Sequence, residues 1–299
     1  MAKPIEVSEI FMSLEGEAAH SAKPTAYVRF ARCQFTCSGF NNPTNERDAK
    51  DYAPVTFDPA NFTNIKDLPL ITRGCDSQYA VNPAFSHMWE KLTIDEIATR
   101  LVEVLPRNQW VHPDTGLPVI LSLTGGEPTL LWKRIPELLN HPLLEQCKHV
   151  LIETNCGVPI KWKFVEDLNQ WLCQDQSRKI TWSNSPKLSS SGEKWSAAIN
   201  PHVALMQRAV TGSSPGQSEQ YFKFVVGPRQ ADFDEVRKAM NEYYLSDIPK
   251  GVQVWLMPEA CTQEQQQTID KRVANMCMEQ GFLFCYRFQN ALWGNGVGT

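Results

Sequence analysis

From Thr25 onward the chain alternates between short apolar runs and longer amphipathic stretches, and this alternation limits the fold more than any other feature. Strand-like runs lie at 25–30, 118–123, 149–153, 180–183, 221–226, 252–257 and 282–286. Helix-like stretches at 162–172, 194–208, 232–244 and 263–280 separate them, and the capping box Thr93-Ile94-Asp95-Glu96 opens another helix through Val104. Repeated β–α units imply a mostly parallel sheet with helices outside. A continuous apolar run such as Val119–Leu123 suits a strand covered on both faces. Six or so strands are too few to close an eightfold barrel, so the expected fold is α/β, a partial (incomplete) β/α barrel with chemistry at the C-terminal ends of its strands. The chain reads as one domain, 1–299, interrupted by an irregular insertion at about 38–74 rich in Asn, Asp and Pro.

Composition excludes several classes. With 299 residues, 42% of them hydrophobic, a large core is available. The formal charge of −4 and the lack of a long basic run argue against nucleic acid as a direct partner. No apolar run approaches the roughly 18 residues of a membrane helix, and the first residues do not resemble a signal peptide. Nine cysteines in such a chain do not read as a disulfide framework, so a reducing cytoplasm is the expected setting.

Cysteine spacing then points to chemistry. Cys33 and Cys37 form a C-x3-C pair directly after the run ending at Phe30, and Cys75 opens Cys75-Asp76-Ser77. Three thiolates can hold three irons of a [4Fe–4S] cluster and leave the fourth open to a ligand. The turn Thr124-Gly125-Gly126-Glu127-Pro128 would let a ligand approach the backbone, with Glu127 meeting its ammonium group. Zinc in a Cys3His site, with His87 as the fourth ligand, is the competing metal reading at this level. Cys147, Cys156, Cys173, Cys261, Cys277 and Cys285 fall in helix or strand patterns and read as packing residues.

These motifs, in this order, resemble the radical S-adenosylmethionine superfamily and, within it, the 7-carboxy-7-deazaguanine synthase family. Glu9-Ile10-Phe11-Met12-Ser13-Leu14-Glu15-Gly16-Glu17 is similar to that family's opening motif, and Pro24–Phe30, Glu153-Thr154-Asn155, Ser185-Pro186-Lys187, Phe222–Val226 and Leu292-Trp293-Gly294-Asn295 are further matches. The insertion and the segment Ser191-Gly192-Glu193-Lys194-Trp195 resemble the longer forms found in bacteriophages.

The resemblance implies a partial barrel of the radical SAM type. It implies a [4Fe–4S] cluster on Cys33, Cys37 and Cys75, S-adenosyl-L-methionine, Mg2+ on Ser77, and ring contraction of 6-carboxy-5,6,7,8-tetrahydropterin to 7-carboxy-7-deazaguanine with loss of ammonia. Gly74, Cys75, Asp76, Gly125, Gly126, Glu127, Glu153, Asn155, Ser185, Pro186, Lys187, Met257, Pro258, Glu259 and Ala260 would line the adenosyl cofactor. Leu14, Glu15, Gly16, Glu17, Arg29, Thr124, Gln289 and Thr299 would meet the pterin, with Arg29 on its carboxylate. Further implied partners are a flavodoxin-like electron donor and a second copy of the chain, and the product would feed queuosine or a deazaguanine modification of DNA. Glu15 stands where many relatives carry Gln, and Gln289 where common members carry His. A related pterin or purine substrate and a zinc-stabilised, non-catalytic binding protein therefore stay open here.

Overall fold

The computed structural model describes residues 3–42, 51–294 and 296–298; the expectations for Thr299, Asn295 and 43–50 lie outside the described residues. Among the described residues, nine strands form one sheet. They are β1 (Ile5–Leu14), β2 (Pro24–Phe30), β3 (Glu90–Leu92), β4 (Ile120–Gly125), β5 (His149–Thr154), β6 (Lys179–Asn184), β7 (Ser218–Val226), β8 (Val254–Pro258) and β9 (Leu283–Phe284). Their spatial order is β3-β1-β2-β4-β5-β6-β7-β8-β9. Every neighbour from β2 to β9 runs parallel, whereas β1 is antiparallel to both β2 and β3. The sheet does not close, as an incomplete barrel requires.

Six or so strands were expected and nine occur. The addition that matters is β1, ten residues long, whose Ile-Glu-Val-Ser-Glu-Ile-Phe-Met-Ser-Leu carries little apolar alternation. A bulge between Val7 and Glu9 shifts the register and places Ser8 and Glu9 both in buried positions, which erases the period-2 signal. The expected helix at 194–208 is two, Trp195–Ala198 and Pro201–Arg208. Pro201 lacks an amide hydrogen and drives Asn200 to φ −129°, ψ 85°, so one helix ends and a second starts.

The parallel strands are not apolar on both faces. Ala26, Val28 and Phe30 of β2, Leu121 and Leu123 of β4, Val150 and Ile152 of β5, Ile180 and Trp182 of β6, and Phe222, Phe224 and Val226 of β7 face one core. That core also takes Leu168 and Trp171 of the helix Trp162–Cys173, and Phe233 and Tyr243 of the helix Gln230–Leu245. The alternate positions are polar yet buried: Thr25, Tyr27, Ser122, Thr124, Thr181, Ser183, Tyr221 and Lys223. Helices therefore cover the outer face by apolar burial. The inner face is a polar wall, and at its C-terminal end the strands enclose one cavity.

Residues 51–89 carry a small core of their own, with Ile65, Ile71, Tyr79, Val81 and Phe85 at its centre and Cys33 and Cys75 packed against it. Among the described residues no helix is long and apolar enough to cross a membrane.

Candidate active site

Cys33, Cys37 and Cys75 all face that cavity. The C-x3-C segment leaves β2 through Arg32 at φ +75° and reaches Cys37 at φ +47°. Gly125, at φ +119°, lies against the backbone of Phe30, and a Cβ on Gly126 would collide with the Arg32 carbonyl. The Gly126 amide donates to Phe30 O (3.0 Å) and the Glu127 amide to Arg32 O (3.0 Å). Both glycines also line the cavity. Their first task, however, is to let the β4 turn pack against the cysteine loop rather than to admit a ligand.

Glu127 overturns its sequence reading. Its carboxylate is 1% exposed and does not border the cavity. Instead it accepts four hydrogen bonds: Thr129 N (3.0 Å), Thr129 Oγ1 (2.6 Å), Thr154 Oγ1 (2.7 Å) and Asn155 N (2.7 Å). Burial raises its pKa despite those donors. Glu127 ties the β4 turn to the end of β5 and is committed before any ammonium arrives. Pro186 also lies off the cavity lining.

Every other expected site residue in the described region borders the cavity: Leu14, Glu15, Gly16, Glu17, Arg29, Gly74, Asp76, Ser77, Thr124, Glu153, Asn155, Ser185, Lys187, Met257, Pro258, Glu259, Ala260 and Gln289. Asn155 Nδ2 points at the Cys33 sulfur (3.6 Å), and Lys187 Nζ donates to Ser185 Oγ (3.1 Å). Glu259 is held by the Asn41 amide (2.8 Å) and by Arg229 (3.1 Å).

Two residues without an assigned role in the sequence organise the floor. Lys223 forms an ion pair with Glu17, and Arg287 bridges Glu17 (3.3 Å), Asp76 (2.6 Å) and the Ala260 carbonyl. Burial opposes ionisation of Glu17, but Lys223 and Arg287 hold it down to about 2. Gln289 Nε2 donates to the same Glu17 (2.7 Å). A lysine at an alternate position of the otherwise apolar run 221–226 was the available signal for Lys223; nothing in the chain singled out Arg287.

Glu15, 4% exposed, sits differently. It accepts from Tyr27 Oη (3.0 Å) and from the Glu17 amide (3.2 Å). Burial and then the charge of Glu153 push its pKa well above the ordinary carboxylate range. That favours the neutral acid, which offers one donor and one acceptor as an amide does. Arg29 gives Nε–H to Glu9 (2.6 Å) and Nη1–H to Ser77 Oγ (3.2 Å), and its guanidinium lies 5.7 Å from the rings of both Phe11 and Tyr79.

The three sulfurs fit a cluster better than a zinc ion. Ligands of one tetrahedral zinc stand about 3.8 Å apart, given Zn–S near 2.3 Å. Among the described residues, the group of metal-binding types whose ligand atoms all come within 4.8 Å is His20, His149 and Glu219, and no cysteines. Sulfurs that each bind a different iron need the wider spacing. His87 is off the cavity, its Nε2 2.9 Å from Phe62 O, so the Cys3His reading fails. Burial pushes the thiols of Cys33 and Cys75 up to about 12, so unliganded they stay protonated.

Mg2+ does not fit Ser77 in this arrangement. The Ser77 hydroxyl already accepts from the Arg29 cation and donates to Asp76 (3.3 Å). A second cation there would face that guanidinium at contact distance. The His20, His149 and Glu219 group lies toward the N-terminal ends of β5 to β7 and is charge-compensated: Lys23 meets His20 (3.1 Å) and Lys179 meets Glu219 (2.8 Å). Cys173 corrects another expectation: it is exposed, not packed. It closes its helix on the solvent side.

An open, mostly parallel β/α sheet with three cavity-facing thiols and a Gly-Gly-Glu-Pro turn at its C-terminal mouth is the arrangement that the resemblance to radical S-adenosylmethionine proteins implies. No family model matches the chain. It is 26% identical over 301 residues to the 7-carboxy-7-deazaguanine synthase of Pyrobaculum aerophilum, covering 98% of this chain and 97% of the relative. It is 26% identical over 172 residues to the protein of that name from Methanopyrus kandleri (57% of this chain, 56% of the relative), and 27% over 155 residues to that from Bacteroides thetaiotaomicron (52% and 54%). Against the crystal structure of QueE from Escherichia coli the TM-score is 0.49 at 14% identity, covering 94% of this chain and 93% of that one, a likeness too remote to argue from. The chain is thus similar from end to end to one 7-carboxy-7-deazaguanine synthase and over about half its length to two others.

Proposed function

We propose that this protein converts 6-carboxy-5,6,7,8-tetrahydropterin to 7-carboxy-7-deazaguanine with release of ammonia. The observation that carries this reading is end-to-end similarity to a synthase of that name, over 97% of its length, in a chain whose thiols Cys33, Cys37 and Cys75 face one cavity. When bound, a [4Fe–4S] cluster and S-adenosyl-L-methionine supply one-electron sulfonium cleavage and a primary radical able to abstract hydrogen.

The protein's own groups do the rest. Cys33, Cys37 and Cys75 would hold the cluster. Gly126, Ser185, Lys187 and the turn Met257–Ala260 would line the adenosyl group beside it. Arg29, fixed by Glu9 and stacked between Phe11 and Tyr79, would present its outer edge to the pterin carboxylate. Glu17, kept anionic by Lys223 and Arg287, would accept from ring N–H groups. Glu15, in its neutral form, would offer the donor-acceptor pair that an amide gives in many relatives. Bound cofactor and substrate filling the cavity would keep water from the reacting centre. No step is assigned to Mg2+.

The test is anaerobic reconstitution with iron and sulfide, followed by assay of 5′-deoxyadenosine and 7-carboxy-7-deazaguanine from the carboxypterin. Both products should form together, and Cys→Ala at 33, 37 or 75 should abolish both along with the brown colour. Deoxyadenosine formed while the pterin is untouched would sink the substrate assignment. A colourless protein retaining one zinc would sink the whole reading.

A further inference from the structure

The segment Ser191–Trp195, which the proposed reaction leaves without a task, reaches back to the cysteine loop. Glu193 Oε1 accepts from the amide of Thr36 (2.8 Å), the amide of Cys37 (2.8 Å) and the hydroxyl of Thr36 (3.4 Å). Two consecutive amides thus converge on one oxygen, and Cys37 itself adopts φ +47°. A non-glycine residue there carries a strain on the order of 1 kcal/mol, and it persists only when neighbours hold it. Such a concavity of successive N–H groups is an anion site, here filled by a side chain from 156 residues away.

The carboxylate is itself held. Gly39 N donates to Ser191 O (2.8 Å), and a Cβ on Gly39 would meet Ser190 O at 2.5 Å and Gly192 N at 2.7 Å, so only glycine permits this approach. The Glu193 amide donates to Ser191 Oγ (3.1 Å). Outward, Ser189 donates to Glu235 through its amide (3.0 Å) and hydroxyl (2.5 Å), and Trp195 Nε1 donates to Glu242 (2.8 Å). Both acceptors belong to the helix Gln230–Leu245. The cysteine loop is thus braced through this strap to a helix of the outer layer.

We propose that Glu193 is a positioning residue: it fixes the Cys33–Cys37 loop in its sulfur-presenting form and lowers the electron affinity of the iron–sulfur group bound there. This rests on the radical reading above. Potentials of iron–sulfur groups follow net charge and N–H···S hydrogen bonds. Here the amides of Thr36 and Cys37 donate to a carboxylate, and that carboxylate adds a negative charge against the loop. Both effects oppose the arrival of an electron.

The experiment uses the full chain, reconstituted anaerobically, as wild type, Glu193→Gln and Glu193→Ala. The midpoint potential is read by electron paramagnetic resonance during a reductive titration, and iron loss is followed over time against a chelator. Glu193→Gln keeps an acceptor oxygen, so it should hold iron like wild type while its potential moves positive. Glu193→Ala should move the same way and lose iron several-fold faster. An unchanged potential in Glu193→Gln overturns the proposal whatever its iron retention. Failure of the wild type itself to take up iron and sulfide would instead count against the function proposed above.

Discussion

Glu127 offers the sharpest test, because its sequence reading and its structure predict different losses. In Glu127→Ala the hydroxyls of Thr129 and Thr154 can rotate to other acceptors. The amides of Thr129 and Asn155 cannot, and both point at a group that is 1% exposed. Each buried amide left unmet costs about 1–3 kcal/mol, which gives about 4 kcal/mol for the pair. For a chain of 299 residues that is a fall in melting temperature of roughly 6 °C. Glu127→Gln should cost less. Its oxygen can replace Oε1 and keep three donors, while its NH2 meets the Asn155 amide, a loss of about 1–3 kcal/mol. The assay is urea and thermal unfolding of the cluster-free protein, followed by S-adenosylmethionine affinity of the reconstituted one. A cluster-free Glu127→Ala melting within 1 °C of wild type, together with lost cofactor affinity, would refute the structural role and restore the ligand contact.

Three further predictions follow from the cavity and the cysteines. Burial and Glu153 raise Glu15 above its unfolded value, so its contribution to stability is full below about pH 4.5 and is lost as pH rises through the folded value. Glu15→Gln should therefore melt above wild type at pH 8 and level with it at pH 4; a variant less stable at pH 8 would contradict this. Glu17, held to about 2, behaves in the opposite sense: its contribution, about 3 kcal/mol, is present above pH 4.5 and lost as pH falls through 2. Arg287→Met should already have lost part of it at pH 7 and so show a shallower fall in denaturation midpoint between pH 7 and pH 3; an equal fall would mean that Lys223 suffices alone. Finally, Cys173 is the one exposed cysteine, so native protein should titrate a single fast thiol with a disulfide reagent, and Cys173→Ser should remove it.

How much of this was legible in advance can be judged residue by residue. Strand positions such as Val28, Leu123 and Ile152 announced themselves because burial against helices demands apolar side chains at regular spacing. The cysteines and the Gly-Gly turn were legible because their chemistry is covalent or conformational and local. β1 was hidden by its bulge, and the polar inner face was overlooked because runs such as Val119–Leu123 look uniformly apolar until Ser122 and Thr124 are assigned to one side.

Sequence alone determined the parallel β/α order, the three thiols and the turn beside them, since each follows from short-range periodicity or from the identity of single residues. Tertiary structure decided what the charged groups do. Lys223 and Glu17 are 206 positions apart, and Glu193 and Cys37 are 156 apart. A carboxylate that is buried with an ammonium, buried with hydrogen-bond donors, or buried beside another carboxylate behaves as three different groups. Which of those neighbours it meets depends on where distant strands end, and no spacing along the chain encodes that.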